Sequence, residues 1–429
     1  MPTTNNSEPT PPIDCYEGDP ELLPVTEALR RIDEQTTRVS GDECVALRDA
    51  LGRIVAQAIV SPMNVPNHTN SAMDGYALAG TDLPTDKSRR LTVIGTAWAG
   101  RAFAGEVAPG SAVRIMTGAV MPPGADTVIM KEQVEERIDE HGEAIVVGQG
   151  HIAGQNVRQA GEDIAVGDRV LAPGKRIMPA ELGLLGSLGI AEIDVKRRLR
   201  VAYFSTGDEL RSLGEPLELG EVYDSNRHTL YGMLTRLGVE LFDLGVVRDE
   251  PEAVRQAFLE AARIGDAVIS TGGASSGDAD YIGETLAELG EVRFWRIAIR
   301  PGRPLAFGRV GDAMFFGLPG NPVAVMVTFY QFVQPALTRM MGSDEAHPNP
   351  TLRATCQTPL RKKPGRVEVY RAILERDADG RPTVRSTGKT GSGLLHTMSD
   401  ANCFIILPED GESVQAGAEV EVQPFFGLV

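Results

Sequence analysis

The sequence predicts a multidomain protein in which one doubly wound α/β domain is joined to all-β domains, and three observations carry that expectation. From Leu199 to Met340 short apolar strands alternate with amphipathic helices, the pattern of a mostly parallel sheet covered on both faces. Residues 61–162 and 348–429 carry short β-type runs separated by Gly and Pro turns. The length of 429 residues suits several domains at roughly 100–200 residues each.

The elements follow in chain order. Residues 1–20 are polar and Pro-rich and read as a flexible tail. Leu22–Thr36 reads as a helix with Val25, Leu29 and Ile32 on one face. Ala46–Ile59 reads as a second helix, with an apolar stripe of Leu51, Ile54 and Val55. Runs at Leu91–Thr96, Ala112–Met116, Thr127–Met130 and Ala144–Val147 suggest a small, barrel-like β domain. Residues 161–195 hold a strand and the helix Pro179–Leu188, which are expected to pack on the Ala46–Ile59 helix. In the α/β region the expected strands are Val201–Ser205, Val239–Val247, Ala267–Ser270, Val292–Ile299 and Met314–Phe316. The expected helices are Ser225–Leu237, Pro251–Arg263, Tyr281–Leu289 and Pro322–Met340, two of them with Pro in the first turn. Strands at Leu352–Cys356, Val367–Leu374, Pro382–Ser386, Cys403–Leu407 and Glu419–Pro424 then suggest a five-stranded barrel or sandwich.

Charge and composition exclude several function classes. Lys and Arg total 42 against 59 Asp and Glu, a net charge of -17, which disfavours nucleic-acid and anionic-membrane binding. Cys15, Cys44, Cys356 and Cys403 form no CxxC pair and read as reduced structural thiols. The chain opens without a basic start and apolar run, and the longest apolar stretch, Val323–Tyr330, is too short for a bilayer. A soluble, cytoplasmic protein is expected.

In an open α/β sheet, ligands sit beyond the carboxyl ends of the strands, and three such ends have unusual loops. Ser205-Thr206-Gly207-Asp208-Glu209 offers backbone N–H groups to an anion and carboxylates to a metal ion. The same residue types also suit an ordinary turn. Ser270-Thr271-Gly272-Gly273-Ala274-Ser275-Ser276-Gly277-Asp278-Ala279-Asp280-Tyr281 puts three glycines and several hydroxyls between a buried strand and a helix, as phosphate-cradling loops do. No Gly-Lys-Ser/Thr ends it, so it is not a Walker A loop. Asp280 also suits an N-cap. Gly317-Leu318-Pro319-Gly320-Asn321-Pro322 is a third strand-to-helix loop, where Asn321 suits a cap.

Arg293, Arg296, Arg300 and Arg303 form a local basic cluster in an acidic chain, suited to an oxyanion, or alternatively to a solvated strand face. The β domain adds the hydroxyl-rich segment 67–76, with His68 and Asp74, then Arg114-Ile115-Met116-Thr117-Gly118 and Gly161-Glu162-Asp163.

Taken together, these segments resemble the molybdopterin molybdenumtransferase family, the MoeA proteins and the C-terminal domain of gephyrin. The resemblance rests on Asn70-Ser71-Ala72-Met73-Asp74-Gly75-Tyr76, Arg114–Gly118, Ser205–Leu210, Thr271-Gly272-Gly273 with Gly277–Tyr281, and Gly317–Pro322, all in order. It covers nearly everything from about residue 20 onward. It implies four domains in an elongated homodimer. A discontinuous α/β domain, like the single-domain molybdopterin adenylyltransferase MogA, would comprise 21–42 and 198–347. A small α+β domain would comprise 43–60 and 164–197, a β domain 61–163, and a C-terminal β-barrel domain 348–429. The cleft would lie between the α/β domain of one subunit and the β domains of its partner.

The implied reaction inserts molybdate into adenylylated molybdopterin with magnesium and releases AMP, forming molybdenum cofactor. By matching positions, the resemblance assigns catalytic roles to Asp74, Thr117, Asp163, Glu209, Asp249 and Asp280, with Glu209, Asp249 and Asp280 holding the metal. Substrate contacts would come from Ser205, Thr206, Gly207, Thr271, Gly272, Gly273, Ser275, Arg296, Arg300, Arg303, Pro319, Gly320, Asn321, Pro322, Arg371 and Ser392. Some relatives carry lysines at Arg296 and Arg300, so a planar fork replaces a point charge. Partners in keeping with this reading are a second copy, the adenylyltransferase and molybdoenzyme maturation factors. A non-catalytic, gephyrin-like scaffold is the competing reading. The carboxylates favour the enzyme, because a pure scaffold would be free to lose them.

Overall fold

The computed structural model describes residues 22–140, 142–272, 281–344, 349–388 and 391–425. The expected tail therefore lies outside the described residues, as do Gly273, Ser275 and Asp280.

Six strands build the central sheet: β1 (Arg200–Thr206), β2 (Glu240–Val247), β3 (Ala267–Thr271), β4 (Gly290–Arg296), β5 (Pro304–Val310) and β6 (Ala313–Leu318). Their order is β2-β1-β3-β6-β5-β4. The first four run parallel, and β5 and β4 extend the sheet antiparallel. Side chains alternate across a strand, so β1 divides between two cores. Val201 and Tyr203 join helices Val25–Gln35, Ser225–Leu237 and the long C-terminal helix on one face. Ala202 and Phe204 meet Val254, Phe258, Ile282 and Leu286 on the other. The chain reverses direction across the sheet between β1 and β3, the topological switch point at which such sheets bind ligands. There Ser205 lies in register with Thr271, and Thr271 with Leu318.

The N-terminal segment belongs to this domain. Leu23 bridges Ile297, and Ala28 and Ile32 are fully buried in the same core. The expected strand Val292–Ile299 ends at Arg296. Ile299–Arg300 instead pairs with Val367–Glu368, stitching the sheet domain to the C-terminal barrel. In that barrel the five expected strands close on themselves through Leu352–Cys356, Pro382–Ser386, Val367–Arg376, Cys403–Leu407 and Glu419–Pro424. The long helix Pro322–Met340 widens at Phe329–Val333 into a π-turn, next to Pro335, which has no N–H to donate.

One expected helix is absent. Ala46–Ile59 forms the end of a strand (Asp42–Ala46), one 3₁₀ turn (Leu47–Ala50) and then extended chain. Gly52 at φ 76° breaks the helical path, and Ile54 and Val55 are buried by bridging Arg176 and Val195. Leu51, expected in an apolar stripe, is 52% exposed. Val55 thus serves a small α+β unit with helix Pro179–Ser187, around Leu171, Ile177, Leu185, Ile193 and Val195, whereas Ile54 joins the core of the α/β domain.

The β domain is an open six-stranded sheet and not a closed barrel. Its order is Thr127–Met130, Gly75–Leu78, Ser111–Ile115, Arg89–Ala97, Gly142–Val147, Val134–Asp139, with a small core on each face. No described helix is long and apolar enough to cross a membrane.

Candidate functional site

The carboxyl ends of β1 and β3 are locked together. Ser205 Oγ and Thr271 Oγ1 share a 2.9 Å hydrogen bond, and both side chains are fully buried. Thr206 is buried beside them. Gly272 sits at φ 90°, and a Cβ there would lie 2.4 Å from the Thr206 carbonyl oxygen. Glycine alone fits that approach. Beyond Gly207 the chain turns, with Leu210 N–H donating to the Gly207 carbonyl at 3.1 Å.

Two acidic groups from this turn face the end of β2. The Asp249 N–H donates to Asp208 Oδ1 at 3.3 Å. Burial, then the charges of Asp208 and Glu209, raise the Asp249 carboxyl above its usual range. Such crowding of carboxylates is the electrostatic setting a hard divalent cation relieves. Even so, no group of three His, Cys, Asp or Glu among the described residues is disposed to hold a metal. Asp280, the third carboxylate of the expected set, lies outside the described residues.

The loop after β6 is held at two points. Asn226 Nδ2 donates to the Gly320 carbonyl at 2.7 Å, and Val323 N–H donates to the Ser392 carbonyl at 3.0 Å. Asn321 makes no side-chain cap, so its alternative role as a cap is not realised. Ser392 therefore meets the α/β domain through its backbone, at the start of the helix that follows Pro319.

Arg371 lies nearby, on the barrel strand Val367–Arg376, and is only 3% exposed. Its Nε donates to Thr397 Oγ1 at 3.0 Å and its Nη2 to the Gly391 carbonyl at 3.3 Å. Burial lowers its pKa below the usual guanidinium value. Arg300, Arg361 and Arg371 line a cavity of about 540 Å³ between the sheet domain and the barrel, with Thr358, Tyr370 and Ser386. The expected basic cluster is thus divided. Arg300 joins this cavity, whereas Arg296 and Arg303 are exposed and do not line it. A larger cavity of about 1020 Å³ borders helix Val25–Gln35 and contains none of the expected site residues.

In the β domain two motifs far apart in sequence meet. Asp74 Oδ1 accepts from both the N–H and the hydroxyl of Thr117, each at 2.7 Å. These two bonds, with the nearby charge of Arg114, hold the Asp74 carboxyl below its usual range. Gly75 is required behind it, because a Cβ would fall 2.0 Å from the Ile129 carbonyl oxygen. Asp163 is exposed, and its N–H donates to the Val65 carbonyl at 3.0 Å. Cys356 and Cys403 are buried free thiols, as structural cysteines would be, whereas Cys44 is exposed.

This set of loops spans the whole chain, and so does its similarity to known proteins. Residues 23–189 match the family described as the MoeA N-terminal region (domain I and II). Residues 202–339 match the probable molybdopterin binding domain, and 353–425 the MoeA C-terminal region (domain IV). The chain belongs to the MoeA family. A molybdopterin molybdenumtransferase of Haemophilus influenzae is 42% identical over 95% of this chain and 100% of its own. Another, from Nostoc sp., is 32% identical over 96% of this chain and 95% of its own. A crystal structure of a molybdopterin biosynthesis MoeA protein from Pyrococcus horikoshii matches with a TM-score of 0.82 at 30% identity, covering 94% of this chain and 100% of that one. As a member of the MoeA family this chain is a transferase of molybdenum-cofactor biosynthesis, and the α/β domain with the switch-point loops is its molybdopterin-binding type of domain.

Proposed function

We propose that this MoeA-family protein inserts molybdate into adenylylated molybdopterin and releases AMP. The observation that carries the reading is the convergence of the β1, β3 and β6 ends at the switch point, in a protein whose sheet domain and barrel also enclose a cavity lined by Arg300, Arg361 and Arg371. The pyrophosphate-bearing nucleotide suits glycine-rich strand ends and helix N-termini, and molybdate suits the arginines. Glu209 and Asp249, with Asp280, would hold magnesium, which supplies positive charge against the phosphoanhydride. The two thiols of the dithiolene form two molybdenum–sulfur bonds, and their two protons carry away one oxo group as water, while cleavage of the phosphoanhydride consumes one water. The chain's part is binding, orientation and charge.

Asp74 and Thr117 belong to a different domain from Glu209 and Asp249, and we assign the full cleft to a homodimer. Exposed Ile94 and Trp98 of the β domain, and exposed Leu213, Leu217 and Leu219 just beyond Glu209, support such a contact. Incubation with adenylylated molybdopterin, magnesium and molybdate should give molybdenum that co-purifies with the pterin. Absence of metal on the pterin, at full nucleotide binding, would instead favour a scaffold.

A further inference from the structure

Asn226 belongs to none of the glycine-loop motifs, yet it joins two loops of the cleft. It is the second residue of helix Ser225–Leu237, whose cap Asp224 accepts from the Arg227 N–H at 3.1 Å. Its side chain is only 9% exposed. Its Nδ2 donates to the Gly320 carbonyl at 2.7 Å. An amide's nitrogen and oxygen can be exchanged by a half-turn of the side chain. Here the exchange is closed off, because a carbonyl only accepts, so nitrogen faces Gly320 and oxygen faces away. That Oδ1 is buried and meets no donor among the described residues. Buried acceptors without donors are uncommon in folded proteins.

The other end of the bond borders open space. Gly320 is exposed, and a Cβ built on it would meet nothing within 4 Å. Its loop is tied at Val323 N–H to Ser392 on one side and by Asn226 on the other. Removing the amide leaves the Pro319–Asn321 turn held at one point.

We infer that Asn226 is a positioning residue of the cleft: it fixes the Gly320 carbonyl and, with it, the loop ahead of the helix. The inference rests on the reading of the cleft as a site for adenylylated molybdopterin.

The test uses the full chain with Asn226→Ala and Asn226→Asp. The Asp variant keeps the side chain's size, gives Gly320 no donor and adds a carboxylate to a helix first turn, where it is favoured. Its fold is therefore expected to survive even where the Ala variant's does not. The Michaelis constant for adenylylated molybdopterin should rise about tenfold in both, with a smaller change in kcat and an unchanged thermal midpoint, since water replaces the amide at the exposed Gly320. Equilibrium binding of AMP and of molybdopterin, measured separately, tells which part of the nucleotide the loop contacts. Weakening of either supports the inference, whereas wild-type Michaelis constants and wild-type affinity for both overturn it. Failure of the wild-type chain to turn over or bind the nucleotide would fall on the functional reading instead.

Discussion

Gly272→Ala is the most informative single substitution at the switch point. The residue sits at φ 90°, a left-handed conformation that costs an L-residue roughly 1–2 kcal/mol. The new Cβ would lie 2.4 Å from the Thr206 carbonyl oxygen and 2.9 Å from Thr206 Oγ1. Both contacts are too short, and the nearer one is backbone, so β1 and β3 have to separate. Overpacking of this kind costs about 1–3 kcal/mol. Together the two effects destabilise the α/β domain by about 2–5 kcal/mol. For a domain of this size that is a fall in thermal midpoint of about 5–15 °C. Differential scanning calorimetry, read with molybdopterin binding on the same samples, measures both consequences. The separation also breaks the Ser205–Thr271 hydroxyl pair, so binding should weaken beyond what the unfolded fraction explains. A variant with wild-type midpoint and wild-type binding would refute the claim that these strand ends form a close-packed part of the site.

Three other substitutions probe separate parts. Asp74→Ala removes the acceptor of both Thr117 bonds; turnover should fall on the order of 10²-fold, with the melting curve unchanged because the group is exposed, and a steady-state rate within twofold of wild type would remove Asp74 from the site. Arg371→Met removes a buried cation and the donor to the Thr397 hydroxyl and the Gly391 carbonyl; stability should fall by about 1–3 kcal/mol, while molybdate affinity measured by calorimetry falls, and retained affinity would move the anion elsewhere. Asp266→Asn weakens the paired 2.7 and 2.8 Å bonds from Arg197 and the 2.9 Å bond from the Arg200 N–H, costing about 2 kcal/mol at neutral pH. Burial opposes ionisation of Asp266, but the bonds from Arg197 and Arg200 outweigh it and lower its folded pKa. The contribution is therefore present above the unfolded value near 3.9 and is lost as pH falls through the folded one. Urea midpoints of wild type and variant should converge in acid, and a difference that persists there would rule out the ionised form as its source.

Much of this fold is legible where the hydrophobic period is clean. Helices Ser225–Leu237 and Tyr281–Leu289, and the strands Leu352–Cys356, Pro382–Ser386, Cys403–Leu407 and Glu419–Pro424, fall where their patterns end. Ala46–Ile59 misled because Leu51, Ile54 and Val55 also satisfy a helical stripe, and only the cross-chain bridges to Arg176 and Val195 decide the matter. Val134–Asp139 is charged and exposed, and Pro304–Val310 is apolar without alternation, so neither advertises a strand. At the site, loop composition pointed to the strand ends, and the resemblance paired Asp74 with Thr117 in one function. Sequence could not show that Arg300 leaves the sheet to pair with the barrel, nor that Arg361 would share its cavity. Asn226 was hidden for the same reason, because its role depends on Gly320, which lies far along the chain.

The proposed function puts molybdate insertion and nucleotide release in one cleft. Its most direct test follows AMP from adenylylated molybdopterin on the purified protein with magnesium, with and without molybdate. The expected result is AMP release that depends on molybdate and is stoichiometric with molybdenum on the pterin. AMP released equally in its absence, or no release from a protein that binds the nucleotide, would contradict it.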